Sequence, residues 1–136
     1  MAKNTKPLFS TTAQSWAFTI ASGATKTGEA VEITDFPPTA HNIATMLLTG
    51  ATATGTETIT VTCQLGFGPS SVRVWGPEHT VSDVDGNATW SLTTTTSKFL
   101  ANLYAHDWWT LCDAFRIILT CAGAANITGN GVACVQ

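Results

Sequence analysis

The chain has 136 residues, a mass of 14.3 kDa and a formal net charge of −3. This length falls in the single-domain range, and a hydrophobic content of 44% excludes a disordered chain, which pairs low hydrophobicity with high net charge. Six basic residues form no stripe able to neutralise a run of phosphates, so we expect no nucleic-acid partner. We also expect no membrane association and a cytoplasmic origin, because the sequence shows neither a signal-peptide h-region nor a run of ~20 apolar residues.

The order of elements along the chain predicts an extended arm followed by strands. Residues 1–14 are polar and unpatterned, which predicts an extended arm that becomes ordered only against a neighbouring molecule, and residues 15–136 form one domain. Threonine is frequent in this domain, and residues branched at Cβ favour strands. Apolar residues at every second position predict eight strands, bounded by Gly, Pro and Asp-Gly-Asn turns. These strands are Trp16–Ile20, Val31–Thr34, Ile43–Thr49, Thr58–Phe67, Val72–Trp75, Ala88–Leu92, Phe115–Thr120 and Val132–Gln136.

This pattern predicts an all-β fold, an antiparallel β-sandwich or jelly-roll-like domain with about eight strands and at most one short helix. The helix is expected within Ser97–Asp113, where Phe99 and Leu103 have helical spacing and Ser97 can cap the first turn. We expect the first two strands to form a hairpin, and the last two to form another. The run Met46–Leu48 is typical of a strand that is buried on both sides or bulged.

The four cysteines are expected to be buried thiols, as is usual in a cytoplasmic protein. The best candidate for a disulfide is Cys121 with Cys134, because the closing hairpin would bring these residues together. We expect no metal site, because no CxxC or CxxH pair is present. The segment Asp83–Asn87 resembles the start of a calcium loop, but its twelfth position is Thr94 rather than glutamate, which favours a plain turn.

No catalytic constellation is recognisable in the sequence. The three histidines are scattered, no Gly-x-Ser-x-Gly elbow is present, and no feature sets the acidic residues apart in pKa. We therefore expect no enzyme and no cofactor. A hydrolase on a jelly roll would require an activity that depends on His106.

The five tryptophans offer candidate contact residues. Trp16 and Trp90 lie in register with apolar strand neighbours, which predicts core positions. Trp108 and Trp109 are adjacent, so only one of them fits easily into a single core if the segment is a strand. The other is then either a contact residue or part of a second small core.

Several segments together resemble the small β-sandwich virion proteins of tailed bacteriophages. They are the strand and turn Phe18–Gly23, the segment Ile33–Phe36, the stretch Thr49–Thr52, the turn Asp85–Trp90, and the strands Phe115–Thr120 and Val132–Gln136. The chain departs from that pattern in its Ser97–Asp113 insertion and in its four cysteines.

The resemblance implies a non-enzymatic structural protein of the virion, in particular a capsid decoration or cement protein. It would be assembled in the host cytoplasm, form a homo-oligomer, and bind the major capsid protein or other virion proteins. The candidate interface residues are Lys3, Lys6, Pro7, Phe9, Trp108 and Trp109. The alternatives are a carbohydrate-binding or adhesin module that uses Trp75 or the Trp108–Trp109 pair as a stacking platform, and a component of the tail or the head–tail junction.

Overall fold

The computed structural model describes residues 4–7, 17–21, 23–32, 44–102, 112–121, 123 and 126–135. These residues form two antiparallel sheets and one short 3₁₀ turn at Ser70–Val72, so the predicted all-β class is confirmed. In the parts of the chain just given, no helix is long and apolar enough to cross a membrane.

The two sheets have different sizes. The five-stranded sheet contains β1 (Asn4–Pro7), β2 (Ala17–Ile20), β5 (Ala44–Thr52), β10 (Ser97–Asn102) and β12 (Ile127–Val135). The seven-stranded sheet contains β3 (Thr25–Thr27), β4 (Val31–Glu32), β6 (Glu57–Phe67), β7 (Val74–Trp75), β8 (His79–Thr80), β9 (Thr89–Leu92) and β11 (Ala114–Cys121).

The inner faces of both sheets contribute to one hydrophobic core. On β6 the side chains of Ile59, Val61, Cys63 and Leu65 are buried, whereas the neighbouring Thr58 and Thr60 are exposed, as the alternation predicts. The five-stranded sheet adds Phe18, Ile20, Met46, Leu48, Ala101 and Ile127, and the seven-stranded sheet adds Val31, Trp90, Leu92, Phe115, Ile117, Leu119 and Cys121. Fully burying one such large side chain contributes about 1.5–3 kcal/mol, so this shared core holds the sheets together.

Both predicted hairpins are wrong. β2 pairs with β12 in the five-stranded sheet, whereas β4 pairs with β11 in the seven-stranded sheet. β11 itself pairs with β6, so β11 and β12 also belong to opposite sheets. The chain crosses between the layers at these connections, and local turn chemistry does not reveal such a crossing.

The expected helix is also wrong where the structure describes it, because Ser97–Asn102 is strand β10, paired with β5. Three loop boundaries shift as well. β5 continues through Gly50 to Thr52, β12 begins already at Ile127, and a 3₁₀ turn replaces the start of the strand predicted at Val72.

The predicted arm is a strand over part of its length. Asn4–Pro7 pairs with Val132–Val135 of the same chain, so these four residues do not need a neighbouring molecule to become ordered.

Candidate interaction surface

The outer face of the five-stranded sheet carries an exposed apolar pair. On β5 the side chains of Met46 and Leu48 enter the core, so strand alternation turns Leu47 outward, where it is 38% exposed. Its direct partner across the strands is Leu100 of β10, which is 47% exposed. The strand is therefore buried on one side only, which corrects the two-sided burial considered for Met46–Leu48.

Val84 extends this pair beyond the sheet edge. Its N–H donates to the carbonyl of Leu100 at 2.9 Å, and its side chain is 56% exposed. An isolated bridge between Asp83 and Ala101 fixes the same turn against β10. We call Leu47, Val84 and Leu100 the apolar patch.

The turn that carries Val84 is held by the carboxylate of Asp83. Its Oδ1 accepts hydrogen bonds from the backbone N–H groups of Asn87 at 2.8 Å and Asp85 at 3.0 Å, and Asn87 Nδ2 donates to Oδ2 at 3.0 Å. These bonds, first of all that from the Asn87 N–H, lower the pKa of Asp83. Gly86 completes the turn at φ 87°, a region that favours glycine. The predicted turn is thus confirmed. Among the residues that the structure describes, no group of three His, Cys, Asp or Glu residues is arranged to hold a metal ion.

A shallow depression of about 300 Å³, with a mixed polar and apolar lining, lies on the same sheet. Strands β2, β5 and β12 surround it with Thr19, Thr49, Thr128 and Asn130, whose positions all face the outside of the sandwich. Its walls therefore offer hydroxyl and amide groups and no charge from these residues.

The outer face of the seven-stranded sheet is dominated by threonine. Four exposed threonines form one row across β3, β11, β6 and β9, namely Thr25, Thr120, Thr60 and Thr89. A second row contains Thr27, Ile118, Thr62 and Thr80. The two outer faces of the sandwich thus differ, since threonine-rich rows cover one sheet, whereas the other sheet carries the exposed Leu47–Leu100 pair beside its own polar residues.

At one end of the seven-stranded sheet, two arginines flank Trp75. The guanidinium carbon of Arg116 lies 4.2 Å from the ring centroid, and that of Arg73 lies 5.8 Å from it. Arg116 Nε also donates to Gln64 Oε1 at 2.8 Å. Arg116 thus occupies a position that a sugar would need in order to stack on that face of Trp75, which removes support for Trp75 as a platform.

Beside Trp75 and its two arginines lies an open hollow of about 440 Å³, lined in part by Glu32, Gly68, Arg73 and Asp113. The charged side chains of this hollow form ion pairs or hydrogen bonds within the protein. Arg73 forms a 2.7 Å ion pair with Glu32 and donates to the Gly68 carbonyl at 3.1 Å, while Asp113 accepts from the Gly68 N–H at 2.6 Å. These groups fix the loop after β6.

The thiols of the described residues are structural. Cys63, Cys112 and Cys121 are buried thiols, which confirms the expectation for these three residues and rules out Cys121–Cys134 as a disulfide candidate. Cys121 lies on the seven-stranded sheet and Cys134 on the five-stranded sheet. Burial raises the pKa of Cys63 to about 12 and that of Cys112 to about 11.

Of the six candidate interface residues, only Lys6 and Pro7 lie in described parts of the chain. Both belong to β1, where Lys6 pairs with Ala133 and Pro7 with Val132. Val132 is in turn the partner of Leu47, so the backbone register aligns Pro7 with the row of the apolar patch. Lys3, Phe9, Trp108 and Trp109 lie outside the described residues, as do Trp16 and His106.

Sequence reasoning missed Leu47, Val84 and Leu100. The sequence contained a signal for Leu47 alone. Met46, Leu47 and Leu48 are all apolar, but in a strand with one buried face the middle of three consecutive residues points away from the other two.

Comparison with known proteins leaves the chain without a family. No protein-family model and no curated protein matches the sequence. Among solved structures, the chain is similar to the N-terminal CBM22-1–GH10 modules of endo-1,4-beta-D-xylanase 10B from Clostridium thermocellum, which were crystallised with xylohexaose. The match covers 88% of this chain and 24% of that chain, at 10% identity and a TM-score of 0.48. Likeness at this level assigns no function.

Proposed function

We propose that this chain is a non-enzymatic structural protein of a bacteriophage particle, a decoration protein that attaches to the capsid through the apolar patch. The sequence resemblance to small β-sandwich virion proteins supports a place for this protein on a phage particle. The observation that carries the proposal is the pairing of Leu47 with Leu100 on an outer sheet face, with both side chains exposed.

The chemistry of this face indicates the kind of partner. Burying leucine and valine side chains lowers the free energy of the system, by roughly 25 cal/mol per Å² of apolar surface removed from water. Apart from Ala51, the rest of the described outer face of β5 and β12 offers hydroxyl and amide groups, and Lys98 of the adjacent β10 adds a cation. We therefore expect the patch to dock on an apolar protein surface of the capsid lattice, with the polar groups at the rim of the contact.

The test is co-sedimentation of the purified protein with heads assembled from the capsid protein of the same genome. We expect the wild-type protein to sediment with heads, and Leu47→Ser/Leu100→Ser to lose at least about tenfold in affinity, as removal of central contacts does. Val72→Ser/Val74→Ser is the matched control. The side chains of Val72 and Val74 are 69% and 67% exposed, but they lie away from the patch. Val74 belongs to β7 of the seven-stranded sheet, and Val72 ends the 3₁₀ turn just before it. Binding to tails but not to heads would move the protein to the tail or the head–tail junction, and binding to no virion part would refute the proposal.

The second candidate is a carbohydrate-binding module, favoured by the uncharged depression lined by Thr19, Thr49, Thr128 and Asn130. Hydroxyl and amide groups on rigid strands can exchange hydrogen bonds with sugar hydroxyls. Retention on immobilised polysaccharides that is lost in Asn130→Ala, but kept in the opposite-face control Thr60→Ala, would support it. Equal retention of both variants would reject this site.

A further inference from the structure

Two strands share one edge of β12. β2 pairs with Ile127–Asn130, and β1 pairs with Val132–Val135 along the same strand, both antiparallel to it. β1 and β2 therefore run in the same direction, one after the other, and only Gly131 separates their partner segments. A single residue opposite Gly131 would be enough to join Pro7 to Ala17.

The chain instead places nine residues, 8–16, between these two strands. Fully extended, a segment of this length spans up to roughly 30 Å, far more than the gap of about two strand positions. The connection therefore allows β1 to reach an edge other than the one beside β2.

The pairing of β1 makes this transfer possible. In the described sheets β1 pairs with β12 alone, and its four residues are held in register by the strand ladder. When β1 leaves, the backbone edge Val132–Val135 becomes unpaired on that side, and an exposed edge is a template for an added strand. A second copy of this chain carries the matching strand.

We propose that β1 exchanges between copies of this chain, so that Asn4–Pro7 of one copy pairs with Val132–Val135 of another. The ladder is the same within a chain and between chains, so the balance depends on local concentration. Exchange therefore increases where copies are held close together, and the capsid lattice of the proposed function provides such a setting. The partner is a second copy because its β12 offers the same register.

The register supplies a direct test. Thr5 lies opposite Cys134, and directly opposed residues of an antiparallel pair have Cα atoms about 4.5–5.5 Å apart, within the range that a disulfide spans. One copy carries Thr5→Cys together with Cys134→Ala, and an isotopically heavy wild-type copy supplies Cys134. Because the first copy has no thiol opposite position 5, a disulfide between position 5 and Cys134 can form only by exchange.

The two proteins are refolded together at micromolar and near-millimolar concentrations, oxidised with diamide after folding, and analysed by non-reducing electrophoresis and mass spectrometry. We expect a mixed covalent dimer whose fraction rises with concentration, linked through position 5 and Cys134. The matched control is Lys6→Cys with Cys134→Ala, because position 6 lies opposite Ala133 and should link far less. The other described thiols, Cys63, Cys112 and Cys121, are buried in the folded protein.

The single variant Thr5→Cys keeps the inference falsifiable. A disulfide within each chain, without any mixed dimer at high concentration, would show that β1 stays on its own chain and would overturn the exchange. The absence of both products would overturn the register itself. These outcomes are separate from the head-binding assay, so failure of strand exchange and failure of the proposed function are distinguishable.

Discussion

The indole ring of Trp90 stacks on the phenyl ring of Phe99, with ring centroids 5.1 Å apart and planes inclined by 20°. Trp90 belongs to β9 and Phe99 to β10, so this contact joins the seven-stranded sheet to the five-stranded one. Trp90 Nε1 also donates to the Asn87 carbonyl at 3.0 Å. The side chain of Trp90 thereby connects both layers and the turn that carries Val84.

We therefore predict that Trp90→Ala lowers the free energy of unfolding by about 3–5 kcal/mol, the usual cost of removing a buried aromatic side chain. Phe99→Ala should cost roughly half as much, because Phe99 is only partly buried. Denaturant unfolding followed by circular dichroism measures both values. Val74→Ala, at an exposed position, is the control and should change stability by less than about 0.5 kcal/mol. A Trp90→Ala protein as stable as that control would contradict the role of the stack.

The features that the sequence predicted well are those set by local alternation. Ile59, Val61 and Leu65 predicted a strand with one buried face, and that strand is central in the seven-stranded sheet. Trp90 was likewise assigned correctly to the core from its position in register with Leu92. Such positions are predictable because a strand with one buried face repeats every two residues.

The features that the sequence missed depend on contacts between distant segments. Phe99 and Leu100 are followed by Leu103 at helical spacing, yet β10 is a strand because it pairs with β5, some fifty residues earlier. The apolar patch has the same origin, since Leu47 and Leu100 become neighbours only through this pairing. No local pattern encodes which sheet a strand joins, so neither the pairing of Leu47 with Leu100 nor the placement of β11 and β12 in opposite sheets was predictable.

Gly66 allows the side chains of Arg73 and Trp75 to lie close to the backbone of β6. A Cβ atom at this position would lie 2.7 Å from Arg73 Cδ and 2.8 Å from Trp75 Cζ3, which is closer than real contacts allow. We predict that Gly66→Ala displaces both side chains and lowers the free energy of unfolding by about 1–3 kcal/mol, as overpacking does. Near-ultraviolet circular dichroism would report the altered Trp75 environment.

The control for this substitution is Gly76→Ala. The nearest atoms to a Cβ at Gly76 are the Leu65 carbonyl oxygen at 3.4 Å and Phe67 Cε2 at 3.7 Å, so methyl addition there requires little movement. We expect Gly76→Ala to retain the wild-type spectrum. Identical effects of the two substitutions would mean that the packing against Arg73 and Trp75 is not the cause.

The Asp83 turn should make stability depend on pH in acid. The N–H donors of the turn lower the pKa of this carboxyl in the folded protein, so its contribution is fully present above the unfolded pKa of about 4. It is then lost as pH falls through the folded-state value. We predict that wild type has a higher melting temperature than Asp83→Ala at pH 7, and that the difference shrinks below about pH 4.

Melting curves between pH 2 and 7 check this prediction, with Asp85→Ala as the control on the same turn. Asp85 contributes its backbone N–H to Asp83, and alanine keeps that donor. The Asp85→Ala curve should therefore follow wild type in shape. A constant difference between wild type and Asp83→Ala across the whole range would show that the carboxylate charge is not what holds the turn.

The buried thiols predict slow alkylation of the native protein. Burial raises the pKa of Cys63 to about 12, with the neighbouring Cys112 adding to the effect, and burial raises that of Cys112 to about 11. Both thiols therefore stay protonated at pH 8.5, and the thiolate is the form that reacts with iodoacetamide. We expect each to react at least about 100-fold more slowly in the native protein than in the unfolded chain, as measured by peptide mass spectrometry. Raising the pH to 9.5 should leave native Cys63 still largely unmodified. Rapid labelling of Cys63 under native conditions would contradict this prediction, because it would show that the inner face of β6 opens to solvent far more often than a packed core allows.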